Sequence, residues 1–327
     1  MMRRGTMTAE QSESVSARKN RWHQSTLSSL LDGCSWQYFL TYVLDLPQGF
    51  KPFALVGSSF HNAVEFHEKR RMEDPSINTT IKEMEDEAEL FFNNNLTEEV
   101  AEETIKELMT NLKSAIYNWY NFIRPTILEY KPIAIEPEFT IPLVQDAKPI
   151  GGYIDAIYQD DNGRYFIVDW KTAKNFDRWR DGNGHRHQAA MYSVALVLSE
   201  DFPEITEMPE MVYMVVRTQR SLRTNFESSR IVRVQPTIED VKLLGDRIRL
   251  AEYTVANDHY TQKTEWPLCS AKWCPFYEGC QVTKTLSGEP HLLKIRMLQQ
   301  SNTEQLESQT NGNNQPISDQ PTTTEEV

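Results

Sequence analysis

The 327-residue sequence has only four cysteines and no long hydrophobic run, and both features restrict the class of protein. No apolar run approaches the roughly eighteen residues that a membrane-spanning helix needs, so we expect no membrane partner. Residues 1–6 lack the apolar stretch of a secretory signal, which predicts a cytoplasmic protein. Flavin and nicotinamide fingerprints are also absent, which argues against a redox or electron-transfer protein.

Acidic residues outnumber basic ones, and the net charge is −13 from 47 acidic and 34 basic residues. That excess argues at first sight against a polyanionic partner, but the distribution of charge decides more than its sum. Acidic residues concentrate in residues 83–107 and 304–326, whereas a group of cations suited to phosphate contacts lies elsewhere. A single arginine of that group is more typical of a solvated loop. The group consists of Lys171, Lys174, Arg178, Arg180, Arg186, Arg217, Arg220 and Arg223.

The spacing of apolar residues predicts a helical and sheet-containing chain with polar ends. Helices are predicted over residues 27–43, 80–94, 97–122 and 237–256, and strands over 211–217 and 230–235. The ends, residues 1–20 and 299–327, are poor in large apolar residues and are predicted to be disordered. Between them we expect an N-terminal helix region at 21–60, a helical region at 61–130, a sheet-containing core at 131–235, and a C-terminal helix with a cysteine cluster at 236–298.

The densest group of polar residues lies on a predicted β-hairpin. Residues 152–159 and 165–171 are rich in β-branched and aromatic residues, and the Asp-Asp-Asn-Gly sequence at 160–163 is typical of a tight turn. If the strands pair about Asp161 and Asn162, the carboxylates of Asp155 and Asp169 approach each other. Converging hard oxygen ligands favour Mg²⁺ or Mn²⁺ over Zn²⁺.

Lys171 lies two positions after Asp169, so both side chains project from one face of the second strand, which we expect to be polar. The Lys171 ammonium is suited to stabilising charge that develops on phosphoryl oxygens. The alternative is a solvated Asp-x-Lys face, which is common on exposed strands.

A helix is predicted at residues 191–198, and Gln188 and Tyr192 lie one turn apart at its start. An amide and a phenol in these positions suit hydrogen bonding to a phosphate or orienting Lys171. Tyr192 alternatively serves as an aromatic residue that packs the helix.

The order of these motifs, Gly151-x-x-x-Asp155, Asp169-x-Lys171-Thr and Gln188-x-x-x-Tyr192, resembles the RecB-like nucleases of the PD-(D/E)XK superfamily. That family has an upstream histidine on a helix as a metal ligand. The segment at residues 56–61 resembles that motif and ends in His61, with small residues that suit a helix start. Glu136 resembles a glutamate of the family that precedes the Gly-Asp motif, and Glu138 on the same strand face is the alternative.

The four cysteines are Cys34, Cys269, Cys274 and Cys280, the last three within twelve residues. In a reducing cytosol such a group indicates a metal site rather than disulfides, and both zinc and iron–sulfur clusters accept four thiolates. The layout resembles the iron–sulfur subset of RecB-like nucleases, which includes AddB and the CRISPR-associated exonucleases, and it implies a [4Fe–4S] cluster joining the chain ends. The gap of four residues between Cys269 and Cys274, where many members have two, keeps zinc as an alternative. Four unrelated buried thiols are the remaining possibility.

The resemblance implies an α/β fold with a mixed central sheet flanked by helices, a restriction-endonuclease-like core, a helical insertion and an iron–sulfur subdomain formed by both termini. It implies Mg²⁺- or Mn²⁺-dependent hydrolysis of DNA, with the ion held by His61, Asp155, Asp169 and the main-chain carbonyl of Trp170. Lys171 would position the water, while Gln188 and Tyr192 would orient the substrate.

Members of this subset are commonly exonucleases that act on single strands or free ends, in recombination, repair, phage replication or CRISPR adaptation, with protein partners in such complexes. The alternative function is a DNA-binding or scaffold protein with an idle site and a structural metal cluster.

Overall fold

The computed structural model of the protein describes residues 20–48, 51–221, 226–265, 267–271, 273–277 and 280. These residues form two compact units, one with residues 20–45 and 51–264, the other with residues 46–48 and the described residues from 265 onward. The helices and strands named below all lie in the first unit. The predicted disordered ends lie outside the described residues, apart from residue 20.

The described chain is helical on both sides of a central group of strands. None of its helices combines the length and the apolar composition needed to cross a bilayer. The α-helices are α1 (Gln24–Leu31), α2 (Ser35–Tyr38), α3 (Pro52–Glu73), α4 (Ile81–Asn95), α5 (Glu102–Phe122), α6 (Arg124–Ile127), α7 (Arg186–Val197) and α8 (Ile238–Ala256). A π-helical turn, Phe39–Val43, follows α2, and two 3₁₀ turns, Asp177–Trp179 and Asn183–His185, precede α7.

The strands form a five-stranded mixed sheet with the order β1-β4-β5-β6-β7 and a separate two-stranded sheet of β2 and β3. Only β5 and β6 are parallel within the larger sheet, and α7 makes the crossover between them. This confirms the predicted α/β fold with a mixed sheet flanked by helices. The strands are β1 (Lys131–Ile135), β2 (Glu138–Ile141), β3 (Ile150–Tyr153), β4 (Ala156–Gln159), β5 (Tyr165–Ala173), β6 (Glu210–Arg217) and β7 (Ser229–Val234).

Each face of the five-stranded sheet packs against its own helices, because side chains alternate along β5. Phe166, Val168 and Trp170 join the core made with α3, α4 and α5. On the other face, Ile167 joins the core made with α1, α7 and α8. Asp169 lies on this second face and is 1% exposed. The alternative of a solvated Asp-x-Lys face therefore does not describe Asp169, which is buried.

The strands β1 and β4 continue into β2 and β3 as one antiparallel ribbon that bends sharply. Ile135 faces Ala156 before the bend and Glu138 faces Tyr153 after it, in the same register. At the bend the Glu136 N–H donates to the Asp155 carbonyl at 3.1 Å. Glu136 has a φ of 55°, which is uncommon for a residue other than glycine. The bend therefore places Glu136 and Asp155 opposite each other where the ribbon leaves the large sheet.

Two helix boundaries differ from the prediction. The helix expected over residues 27–43 is interrupted after α1, where Gly33 passes so close to the chain that an added Cβ would lie 2.9 Å from the Ser29 carbonyl oxygen. The helix that carries His61 begins at Pro52, a residue favoured in the first helical turn, rather than at the small residues before His61. The helix continues through those residues, and an added Cβ at Gly57 would make only an ordinary contact, 3.8 Å from Thr172 Oγ1 of β5.

Candidate active site

The hairpin formed by β4 and β5 brings Asp155 and Asp169 together as the sequence predicts. Ala156, the first residue of β4, pairs with Val168 of β5. Asp155, which comes just before β4, therefore lies opposite Asp169. Both are buried, at 8% and 1% exposure. The Asp155 Oδ2 accepts a hydrogen bond of 2.7 Å from the Trp170 N–H, in place of a main-chain partner on β4.

The main-chain carbonyl of Trp170 points to the same side of β5 as its N–H. In an antiparallel pair, the N–H and C=O groups of one residue both point towards the same neighbouring strand. Its N–H faces Asp155. The carbonyl oxygen predicted as a metal ligand is therefore directed to the side where β4 diverges and the carboxylates lie.

His61 and Glu136 complete a group of ligands around Asp155. The His61 Nδ1 lies 3.4 Å from Asp155 Oδ2. One ligand atom from each of the three residues lies within 4.8 Å of the others, which is suitable for one metal ion. Among the described residues, it is the one group of three or more His, Cys, Asp or Glu side chains whose ligand atoms lie this close together.

Glu138, which the sequence could not distinguish from Glu136, has a different environment. It lies on β2 and pairs with Arg21 at 2.8 Å. The bend in the ribbon separates the two glutamates, and Glu136 is the one that faces Asp155.

Lys171 and Gln188 both contact Asp169. The Lys171 Nζ lies 2.5 Å from Asp169 Oδ2, as expected for residues two apart on one strand face. The Gln188 Nε2 donates to Asp169 Oδ1 at 2.9 Å. The amide that we expected at a phosphate or at Lys171 therefore holds the carboxylate instead.

Asp169 is electrostatically incomplete despite these contacts. Its Oδ2 is fully enclosed, and the Lys171 ammonium is its charged partner. Burial raises the pKa of Asp169 above its ordinary value of 3.8, the Asp155 carboxylate raises it further, and Lys171 and His61 act in the opposite direction. Two buried carboxylates thus lie beside the single ammonium of Lys171, an arrangement that a divalent cation would stabilise.

Tyr192 has the packing environment that was the alternative to a substrate contact. Its ring lies edge-to-face on Phe139 of β2, with centroids 5.6 Å apart and the planes at 72°. The ring is also part of the core on the α7 side of the sheet.

Three residues beside Asp169 escaped the sequence analysis. Tyr213 is the neighbour of Asp169 on β6, His185 immediately precedes α7, and Trp179 stacks on His185 with centroids 4.0 Å apart. A parallel register cannot be read from strand patterns, since the crossover does not fix it as a short turn does. The sequence feature that could have indicated Trp179 and His185 is the aromatic content of the segment between Lys171 and Gln188.

The predicted basic group divides into cations bound by protein and cations exposed to solvent. Arg186 pairs with Asp240 of α8 at 2.5 Å, and Arg217 and Arg220 donate to main-chain carbonyls. Arg220 is nevertheless exposed, and the other exposed members, on the loop after β5, are Lys174, Arg178 and Arg180. Arg223 lies outside the described residues.

The cysteines belong to both units. In the first unit, Cys34 is the N-cap of α2, and its Sγ accepts a hydrogen bond of 3.5 Å from the Lys263 N–H. In the second unit, the Cys274 N–H donates to Ser270 and the Cys280 N–H to Phe276, each at 2.8 Å. These local contacts give no support to the predicted iron–sulfur cluster.

Comparison with known proteins identifies a family for the chain. A family model described as the PD-(D/E)XK nuclease superfamily matches residues 21–281. No curated protein sequence matches the chain. One similar solved structure is named "Crystal structure of SSO0001"; it is 15% identical, the match covers 79% of this chain and 95% of that chain, and the TM-score is 0.32, a value that supports no inference. Because the family match extends over most of the sequence, the chain belongs to the PD-(D/E)XK nuclease superfamily.

Proposed function

We propose that this nuclease hydrolyses phosphodiester bonds of DNA with the help of Mg²⁺ or Mn²⁺. The observation that carries the proposal is the convergence of His61, Glu136 and Asp155 within 4.8 Å, next to the Asp169–Lys171 pair. Carboxylate and carbonyl oxygens are the ligands that Mg²⁺ and Mn²⁺ prefer, and imidazole is acceptable to Mn²⁺.

The residues of the site fit such an ion. His61, Glu136, Asp155, Asp169 and the Trp170 carbonyl would hold it, and the closeness of the first three ligand atoms to one another, within 4.8 Å, fits that role. When bound, a divalent ion supplies positive charge for the phosphoryl oxygens and acidifies the attacking water.

The side chains around the ligands would support the reaction from the positions that they occupy in the structure. The Lys171 ammonium is held beside Asp169, where it stabilises negative charge on the phosphate as the bond breaks. The Gln188 amide keeps the Asp169 carboxylate in one orientation. The exposed Lys174, Arg178 and Arg180 lie on the loop that follows Lys171 and would contact neighbouring phosphates.

For the substrate, we propose DNA with free ends or single strands, cleaved as by an exonuclease in the cytoplasm. The resemblance to RecB-like nucleases supports this proposal, with recombination, repair, phage replication and CRISPR adaptation as the settings and their protein complexes as partners. Closed circular duplex DNA should then resist cleavage while linear duplex or single-stranded DNA is degraded.

The test is an assay on end-labelled linear and closed circular DNA with EDTA, Mg²⁺ or Mn²⁺. Cleavage should require the ion, and Asp169→Ala or Lys171→Ala should reduce its rate by about 100-fold or more. Lys82→Ala, which removes an exposed lysine on α4, is the control and should cleave normally. Unchanged cleavage by both site variants would overturn the proposed site, and DNA binding without cleavage by the wild-type protein would favour the idle scaffold.

We further propose that Cys34, Cys269, Cys274 and Cys280 hold a [4Fe–4S] cluster, with zinc as the alternative. The number and spacing of the cysteines support this proposal. Anaerobically purified protein should be brown, with absorbance near about 400 nm, and Cys34→Ser and Cys269→Ser should each lower its iron content. A colourless protein with stoichiometric zinc would establish the alternative.

A further inference from the structure

Tyr213 joins the strand that carries Asp169 to the helix that carries Gln188. It lies beside Asp169 in the parallel pairing of β5 and β6, and it is fully buried. Its hydroxyl donates to the main-chain carbonyl of His185 at 2.9 Å. His185 is the residue immediately before α7, so this hydrogen bond fixes the start of that helix relative to β6.

His185 is held by its ring as well as by its main chain. The ring stacks on Trp179 with a centroid separation of 4.0 Å and an interplanar angle of 5°, and it contacts the Tyr213 ring at 5.0 Å. Trp179 and Tyr213 also contact each other at 5.5 Å. The three rings therefore form a closed aromatic cluster, which we call the α7 anchor, made of Trp179, His185 and Tyr213.

The loop that supplies Trp179 is itself fixed to β7. Arg230 donates to the main-chain carbonyls of Phe176 and Trp179, each at 3.3 Å. Gly182 has a φ of 70° and lies so close to β7 that an added Cβ would be 2.5 Å from Val234 Cγ2. The loop has little freedom to move, and the same holds for the ring that stacks on it.

The α7 anchor is connected to the active site through Gln188 and through Asp169. Gln188 follows His185 within one turn, and its amide donates to Asp169 Oδ1 at 2.9 Å. Asp169 is in turn the strand neighbour of Tyr213. Because hydrogen bonds weaken steeply when their geometry is lost, a small displacement of the start of α7 would release the carboxylate.

We propose that Tyr213 and His185 are positioning residues, which act through Gln188 to hold Asp169 in the orientation that binds the divalent ion. The proposal rests on the proposed function and assigns a role to residues outside the ligand group. Tyr213 is fully buried, and the partly buried His185 ring lies against Trp179 and Tyr213, so the proposed role of both residues needs no contact with DNA.

Tyr213→Phe is the sharpest variant, because it keeps the ring and removes only the hydroxyl that reaches His185. Mn²⁺ binding is measured without DNA by electron paramagnetic resonance, and the Mn²⁺ dependence of cleavage is measured in parallel. We expect the Mn²⁺ concentration for half-saturation to rise by about 3- to 10-fold, the loss expected for one hydrogen bond. At saturating Mn²⁺ the cleavage rate should approach that of the wild type.

A double-mutant cycle with Gln188→Ala separates positioning from general loosening of the fold. If Tyr213 acts through Gln188, Tyr213→Phe should weaken Mn²⁺ binding in the wild type but change it little in the Gln188→Ala protein. Equal losses in both backgrounds, or no loss in the wild type, would overturn the proposal.

Tyr158→Phe is the matched control. Tyr158 is a fully buried tyrosine of β4 whose hydroxyl donates to Glu68 on the other face of the sheet, so its loss should lower stability and leave Mn²⁺ binding unchanged. A wild-type protein that binds Mn²⁺ but does not cleave DNA would contradict the proposed function while the cycle still decides the positioning role. Absence of Mn²⁺ binding by the wild type would overturn both.

Discussion

Two carboxylates are buried on opposite faces of the same sheet, and their surroundings differ in a way that separates structure from function. Glu68 of α3 lies on the face covered by α3, α4 and α5 and is 0% exposed, while Asp169 of β5 lies on the α7 face and is 1% exposed. A buried carboxylate is costly unless its charge and its lone pairs are satisfied.

Glu68 is satisfied completely by its neighbours. Its Oε2 accepts from Tyr158 at 2.8 Å and from Arg71 at 2.7 and 3.1 Å, and its Oε1 lies 2.9 Å from His67 Nδ1. Arg124 donates to the other ring nitrogen of His67, so that nitrogen must accept and Nδ1 must carry the proton given to Glu68. Burial raises the pKa of Glu68, but the His67 hydrogen bond and the Arg71 charge outweigh it and hold the pKa below its ordinary value.

Asp169 has fewer partners, and the balance of its pKa has the opposite sign. Burial and Asp155 raise the pKa above its ordinary value in spite of Lys171. The fold thus surrounds Glu68 with the Arg71 charge and with hydrogen bonds from His67 and Tyr158, whereas Asp169 has Lys171, Gln188 and a second carboxylate beside it. The comparison indicates that Glu68 stabilises the fold and that Asp169 serves a function that needs a cation.

The largest expected effect comes from replacing Glu68 by its neutral isostere. Glu68→Gln leaves Arg71 buried without its counter-charge, which should destabilise the protein by about 3 kcal/mol. Urea unfolding of the metal-free protein, monitored by circular dichroism, measures the loss. Mn²⁺ should still raise the melting temperature of this variant, because the site lies on the other face of the sheet.

Equal stability of Glu68→Gln and wild type would contradict the structural role of the cluster. Lys82→Ala, in which an exposed ion pair on α4 is lost, is the control and should change stability by well under about 1 kcal/mol.

The sequence predicted the parts of this comparison that depend on local spacing. A short turn fixes the hairpin register, so Asp155, Asp169 and Lys171 could be placed together from the sequence. The choice between Glu136 and Glu138 depended on a bend with a positive φ, which no strand pattern indicates.

Contacts that depend on distant chain segments were not predictable in the same way. Tyr213 lies beside Asp169 through a parallel pairing, while Glu68 gains Tyr158 and its partner His67 gains Arg124 from separate elements. Helix boundaries failed for local steric reasons, as at Gly33 and Pro52, where apolar periodicity carries no information about close approach or the first helical turn.

Asp169→Asn, the matching change on the α7 face of the sheet, should have a smaller effect on the free energy of unfolding, and the effect should be of opposite sign. Asp169→Asn removes a buried charge for which burial and the Asp155 carboxylate outweigh the Lys171 ion pair, and it should stabilise the metal-free protein by on the order of 1 kcal/mol. The same variant should lose cleavage and the rise in melting temperature that Mn²⁺ produces in the wild type. Destabilisation by Asp169→Asn in EDTA would show that Lys171 already neutralises the aspartate, and the distinction between the two carboxylates would fail.

The smallest effect is a difference in pH dependence between these two amide variants, measured against wild type in EDTA from about pH 4 to 8. The folded pKa of Glu68 is below its ordinary value of 4.5, so its stabilisation is present above that pH and is lost as the pH falls. The folded pKa of Asp169 is above its ordinary value of 3.8, so its neutral form stabilises the protein at low pH and this is lost as the pH rises through the folded pKa. The deficit of Glu68→Gln should therefore shrink towards acid pH, while the advantage of Asp169→Asn should appear only as the pH rises. Parallel curves for the two variants would mean that the two carboxylates titrate alike, and the electrostatic contrast between the faces of the sheet would be absent.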